Sequence, residues 1–265
     1  MDLTATDKKS SILWPERKDV FGIPVTPTNY KEATECITAA AVKKVSACVD
    51  CMAVHSLISA IKNPAYGKMI REKFDMVCPD GQPVRWTLNK FHNSGLKDRV
   101  YGPNLTLHVL DRAHAQNIPV FFYGSKPEVL EKLRKNLLER YPNLSIAGME
   151  SPPFRELSPR EYSQAAERIN QSGARILFIG LGCPKQELWA GRQKNAIHMP
   201  MLCVGAAFDF HAGVLPQAPA LMQNLGLEWA YRLYKEPRRL WRRYLYCNIC
   251  FVKKFLQSSL KGYRI

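Results

Sequence analysis

Six short apolar runs, at 45–52, 75–78, 118–123, 144–148, 175–180 and 200–205, alternate with stretches of helical periodicity at about 55–73, 103–117, 126–140, 159–171 and 184–194. Alternation of this kind reads as a mostly parallel, doubly wound sheet with helices on its faces. In such a sheet ligands bind beyond the carboxyl ends of the strands. The segments that follow the runs are therefore the places to look: "CPDGQP" at 78–83, "YGSKP" at 123–127, "GLGCPKQE" at 180–187 and "VGAAFDFHAG" at 204–213. Helix starts are marked independently. Asn29 and Glu32 have capping-box spacing before "ATECITAAAVKK", and Ser158, Pro159 and Glu161 open the 159–171 stretch.

At 265 residues the chain can bury one substantial core. Three segments are expected: a loosely held polar stretch at 1–20, an α/β domain at 21–220, and a basic, aromatic helical appendage at 221–265. The appendage begins where the composition changes: after residue 228 it interleaves aromatics with ten Lys and Arg and only one acid, Glu236. The formal charge of +15 favours an anionic partner, whether nucleic acid, a membrane surface or a phosphorylated substrate. "MDLTATDKKSS" has no apolar signal core and no run approaches the roughly 18 residues that span a bilayer, so a cytoplasmic location is expected. Eight cysteines, scattered through apolar stretches, suit reduced thiols. Cys48 and Cys51 fall on opposite faces of a strand, and Cys247 and Cys250 lie about 200 residues away, so neither pair reads as a metal site.

"GLGCPKQELWAGRQK" lacks both the Ser or Thr of a phosphate loop and the third glycine of a dinucleotide fingerprint. As a strand running into a helix it still presents Gly182, free backbone donors and Lys185 to an anion. Tyr123, Gly124 and Ser125 repeat that geometry before a helix starting near Lys126. Asp80, directly after an apolar run and before Gly81, is either a base or one half of an Asp-Gly turn. Asp209 binds a ribose or base edge, or caps a neighbouring backbone; Lys185 and Gln186 touch substrate or face solvent; His55 and His211 read as structural.

Together these segments resemble the WecG/TagA/CpsF family of glycosyltransferases. The resemblance runs from about Phe21 to Leu245 through "PDGQPVRW", "RVYGPNLT", "FFYGSKPEVLEKL", "ERYPNLSIAG", "IGLGCPKQE", "VGAAFDFHAG" and "GLEWAYRLYKEPRRLWRRYL" in order. It implies a Rossmann-like domain that moves a sugar, with inversion, from a UDP-sugar to a sugar on a polyprenyl diphosphate at the inner face of the bacterial plasma membrane. The product feeds a surface or secreted polysaccharide.

By the same resemblance Asp80 is the base, Gln186 a substrate contact and Asp209 a nucleotide contact, while Arg232, Arg239 and Arg242 reach the diphosphate. Ala53 stands where many members carry asparagine, which argues against assuming N-acetylmannosamine or its uronic acid as the donor sugar. "VYGPNLT", "SPPFREL" and "GCPKQELW" are similar to the xanthan-type branch that adds glucose to a glucosyl-diphosphate lipid.

No Asp-x-Asp pair occurs in the chain, so charge on the leaving diphosphate is expected to be met by N–H groups, Lys185 and arginines, with no metal and no cofactor. The stripe Leu240, Trp241, Tyr244, Leu245, Ile249, Val252, Phe255 and Leu256, flanked by cations, is expected to lie on an anionic membrane. Self-assembly stays open. Two other classes, a basic nucleic-acid-binding α/β protein and a non-catalytic scaffold for polymer assembly, are disfavoured by the absence of a nucleic-acid module and by Asp80 with a complete "GLGCPKQE".

Overall fold

The computed structural model describes residues 12–261, without the side chains of Ala220, Asn224, Arg239 and Lys261. Residues 1–11 of the segment expected to be loose lie outside the described residues. Its later part differs from expectation. Lys18–Val20 (β1) pairs antiparallel with Ile23–Val25 (β2). Phe21 and Gly22 between them have φ of 56° and 90°, the doubly left-handed turn that matches hairpin twist. Asp19 Oδ1 accepts the Gly22 N–H at 3.1 Å. Val20 is fully buried, and Arg17 donates to the carbonyls of Ile70, Arg71 and Phe74.

The six expected strands form one sheet: Ala47–Met52 (β3), Met76–Pro79 (β4), Val120–Gly124 (β5), Ile146–Glu150 (β6), Ile176–Gly180 (β7) and Pro200–Cys203 (β8). Their order is β4-β3-β8-β7-β5-β6, with every neighbouring pair parallel. Alternate residues of the central strands feed two cores. Phe121, Tyr123, Leu177 and Ile179 pack with Val54–Lys62 (α2), Pro64–Lys73 (α3), Gln82–His92 (α4), Pro159–Gln171 (α7) and Lys185–Gln193 (α8). Val120, Phe122, Ile176 and Phe178 pack with Tyr30–Val42 (α1), Gly102–Ala115 (α5), Pro127–Arg140 (α6) and Ala207–His211 (α9). Each of these buried side chains is worth about 1.5–3 kcal/mol, which is why the strands must be apolar on both faces. The helix expected over 55–73 is two helices, because Asn63 accepts the Tyr66 N–H at 3.1 Å and Pro64 starts a new turn.

Ala220–Asn224 (α10), Glu228–Lys235 (α11) and Pro237–Lys261 (α12) follow the sheet. α12 lies against the hairpin, α2 and α4: Phe251 meets Phe21 edge-on at 5.7 Å and Phe255 meets Phe91 at 5.4 Å. The single apolar stripe expected on α12 is therefore two stripes. Leu240, Tyr244, Cys247 and Phe251 are buried on the fold, while Trp241, Leu245, Ile249, Val252 and Leu256 stay exposed. Among the described residues, no helix is long and apolar enough to cross a membrane.

Candidate active site

A cleft of about 1130 Å³ opens at the carboxyl ends of β3, β4, β5, β7 and β8. Its polar floor carries Ala53, Asp80, Ser125, Gly182, Gln186 and Asp209; its apolar wall carries Trp86, Trp229, Tyr244, Phe251 and Phe255. Glycines let the floor close. A Cβ on Gly124, whose φ is 129°, would lie 2.6 Å from the Gly180 carbonyl carbon.

Among the described residues, side-chain caps are confined to helices that start away from the floor. α1, α3 and α7 start away from the cleft, and the side chains of Asn29, Asn63 and Ser158 cap them. α2, α4, α6 and α8, which start at the cleft behind Ala53, Gly81, Lys126 and Pro184, have no side-chain cap. Helix starts without a side-chain cap at one cavity direct their dipoles to its floor and suit it to phosphate oxygens. Ala53 contributes directly: as the residue preceding α2 it offers no oxygen to the first N–H groups, as an asparagine there would.

Asp80 sits at the end of β4 with its side chain 15% exposed. Gly102 N–H donates to its Oδ2 at 3.1 Å, and the Arg99 Nη1 lies 3.9 Å from Oδ1. Burial raises its pKa to about 7; Arg99, the Gly102 bond and Arg232 oppose that rise, and Glu228 adds to it. A carboxyl poised there is ionised for an appreciable fraction of the time at neutral pH yet basic enough to accept a hydroxyl proton.

Gln186 does not face solvent. It is buried, its Oε1 accepts the Gly182 N–H at 3.2 Å, and its Nε2 donates to Glu187 Oε1 at 3.0 Å. Behind it lies fully buried Asp50, both of whose carboxyl oxygens lack a hydrogen-bond donor, as does Glu187 Oε2. The two buried acids interact, which favours holding a proton between them over ionising both. Burial first, then the charge of Glu187, pushes Asp50 well above the carboxylate range, and burial raises Glu187 to about 7. The pair holds the Gln186 amide in one orientation.

A raised native pKa stabilises the fold below the unfolded value near 4, and that contribution is lost as pH rises through the native value. Asp50→Asn cannot ionise and should escape this loss. Its melting temperature should exceed that of the wild type at pH 8, by about 2–4 °C per kcal/mol recovered, and the gap should narrow steadily toward pH 5 as the unfolded value near 4 is approached. Parallel melting curves at both pH values would remove the shared proton from the account.

The other expected contacts divide. Ser125, Gly182, Asp209 and Arg232 line the cleft. Lys185 does not; it is exposed at the first turn of α8, outside the lining. Tyr123 is a core residue: it shares a strand face with Phe121 and stacks on Trp189 at 4.5 Å, while Gly124 serves the close approach to β7. Arg242 lines a separate groove with Ser59, Lys62 and Tyr246, and Arg243 takes a place on the cleft. The side chain of Arg239 lies outside the described residues. His211 is structural, bonded to the Pro103 carbonyl at 2.9 Å. His55 instead lines the cleft, and burial, with Arg243 and Arg232 nearby, lowers its pKa to about 3, so its ring is neutral. Sequence reasoning assigned no role to Arg99 and Glu228, although both lie in the quoted segments. Their ion pair at 2.7 Å spans 129 residues. All eight cysteines are free.

An all-parallel sheet, an anion-receptive floor and one poised acid define a Rossmann-like enzyme acting on a phosphate-bearing substrate. The chain belongs to the WecG/TagA/CpsF glycosyltransferase family, whose model matches residues 18–265. It is accordingly a glycosyltransferase of polysaccharide biosynthesis, a class that takes a nucleotide-sugar donor and a lipid-linked acceptor.

Proposed function

We propose that the protein is an inverting transferase that moves glucose from UDP-glucose onto a glucosyl polyprenyl diphosphate. The observation that carries this reading is Asp80, held by Gly102 N–H in a cleft lined by uncapped helix starts. The acceptor hydroxyl loses its proton to the Asp80 carboxylate as its oxygen attacks the anomeric carbon, and UDP leaves from the opposite face. The N–H groups of the floor and Arg232 neutralise the growing phosphate charge. Asp209 faces the nucleotide and Gln186 the transferred sugar. Ala53 supports glucose over N-acetylmannosamine, since no amide stands there to receive an N-acetyl group.

The reaction is read as metal-independent, because no Asp-x-Asp pair stands in the chain and the floor N–H groups and Arg232 take the charge instead. The enzyme is read as peripheral on the inner membrane face. The test offers a panel of UDP-sugars with short-chain prenyl diphosphate sugars, with and without EDTA, and identifies the product by mass. UDP-glucose should yield a disaccharide lipid at the same rate in EDTA. Turnover of UDP-N-acetylmannosamine alone would transfer the reading to that donor, and magnesium-restored activity after chelation would end the metal-free account.

A further inference from the structure

Arg99 stands between two carboxylates. Its Nη2 meets Glu228 Oε2 at 2.7 Å, whereas its Nη1 stays 3.9 Å from Asp80 Oδ1 and donates to the Asp80 backbone oxygen at 3.3 Å. Tyr101 lies under the guanidinium at 4.4 Å and fixes its plane. The nearer acid belongs to α11, the farther one to β4. Glu228 is buried, with a side chain 9% exposed, so the pairing takes place within the fold and not in screening solvent.

We propose that Glu228 is a positioning residue for the transfer reaction: by engaging the Arg99 guanidinium it keeps that cation from closing on Asp80, and so lets the C-terminal appendage set the basicity of the base. A guanidinium that closed bidentate on Asp80 would hold the carboxylate ionised and make it a weak proton acceptor. The Glu228 charge acts in the same direction as its hold on Arg99, since a like charge nearby also disfavours ionisation of Asp80.

The other groups around Asp80 do not replace it. Arg232, on the same helix, and Arg99 are the cations facing it. From α1, β3 and the start of α5 come Tyr30, Asp50, Cys51 and Tyr101, none of them cationic. Among the described residues, Glu228 is the acid besides Asp80 that pairs with Arg99.

The proposal rests on Asp80 being the base, and the test separates the two. The Asp80 carboxyl is followed by carbon-13 NMR titration in the full chain, assigned by its loss in Asp80→Asn, with no substrate present. The acid limb of kcat/KM is measured in parallel with UDP-glucose and a short-chain prenyl diphosphate glucose. The wild-type midpoint is expected near 7.

In Glu228→Gln the midpoint should fall by about one unit, the acid limb should follow it, and the plateau rate should drop severalfold. In Arg99→Gln the midpoint should move the opposite way, which general damage to the fold would not produce, and this variant decides the matter if Glu228→Gln does not fold. A Glu228→Gln midpoint equal to or above that of the wild type overturns the proposal. A shifted Asp80 titration without any change in the rate profile would leave the coupling intact and remove Asp80 as the base.

Discussion

Asp80→Asn is expected to fold, to bind UDP-sugar, and to transfer about 10²- to 10⁴-fold more slowly than the wild type. The amide keeps the size of the carboxyl, and its oxygen still accepts the Gly102 N–H that now reaches Oδ2 at 3.1 Å. What disappears is the carboxyl at the end of β4, raised to about 7 by burial, that takes the acceptor proton. Because the base works ionised, the wild-type rate should climb with pH through about 7 and level off above it. The residual rate of Asp80→Asn should lack that rise. Single-turnover rates, with thermal unfolding as the control for folding, check both points. Undiminished transfer in a well-folded variant would falsify the base assignment.

The second large effect concerns the appendage. Truncation after Gln223 would uncover the seat of Leu240, Tyr244, Cys247 and Phe251, so its consequences for membrane and core could not be separated. The exposed stripe can be altered alone. Leu245 and Ile249 are 57% and 59% exposed, and Leu245→Ser with Ile249→Ser should leave the fold unchanged. If this face lies in the headgroup region, each side chain contributes up to about 1.5–3 kcal/mol of burial there, so binding to anionic vesicles should fall by more than about 100-fold. Arg232→Ala, inside the cleft, should instead retain most vesicle binding and slow transfer by about 10²–10³, the usual effect of removing one donor to a leaving oxyanion. Cosedimentation and turnover, measured on both variants, separate the roles. Full vesicle binding by the double serine variant would make the stripe a surface for something other than lipid.

Much of this was legible because the strongest signals are periodic. All six sheet strands stand on the short apolar runs, five of which end at or just before glycine or proline, and the placement of Asp80 at the end of β4 follows from that reading. The hairpin was hidden because its turn is Phe21–Gly22 and not the usual Asn-Gly, and because strands of three residues carry no visible alternation. α4 was missed beside the most informative motif, since "QPVRWTLNKFH" places Trp86 on the cleft and not in the core.

Lys185 looked like a phosphate ligand because composition marks a residue type but not the direction of its side chain on a first helical turn. Tyr123 could have been assigned to the core from strand parity with Phe121. The Arg99–Glu228 pair had no local signal at all, joining two segments that only the docked appendage brings together.

The central claim is a single displacement at the anomeric carbon, assisted by one base on the acceptor side. It is tested most directly by the anomeric configuration of the transferred sugar, read by proton NMR on the product of UDP-glucose and a prenyl diphosphate glucose. The account predicts inversion, the α-linked donor becoming a β-glycoside, with the product forming about 10²- to 10⁴-fold more slowly in Asp80→Asn. An α-linked product would contradict it, because retention requires a second nucleophile or a front-side attack that a lone base at Asp80 does not provide.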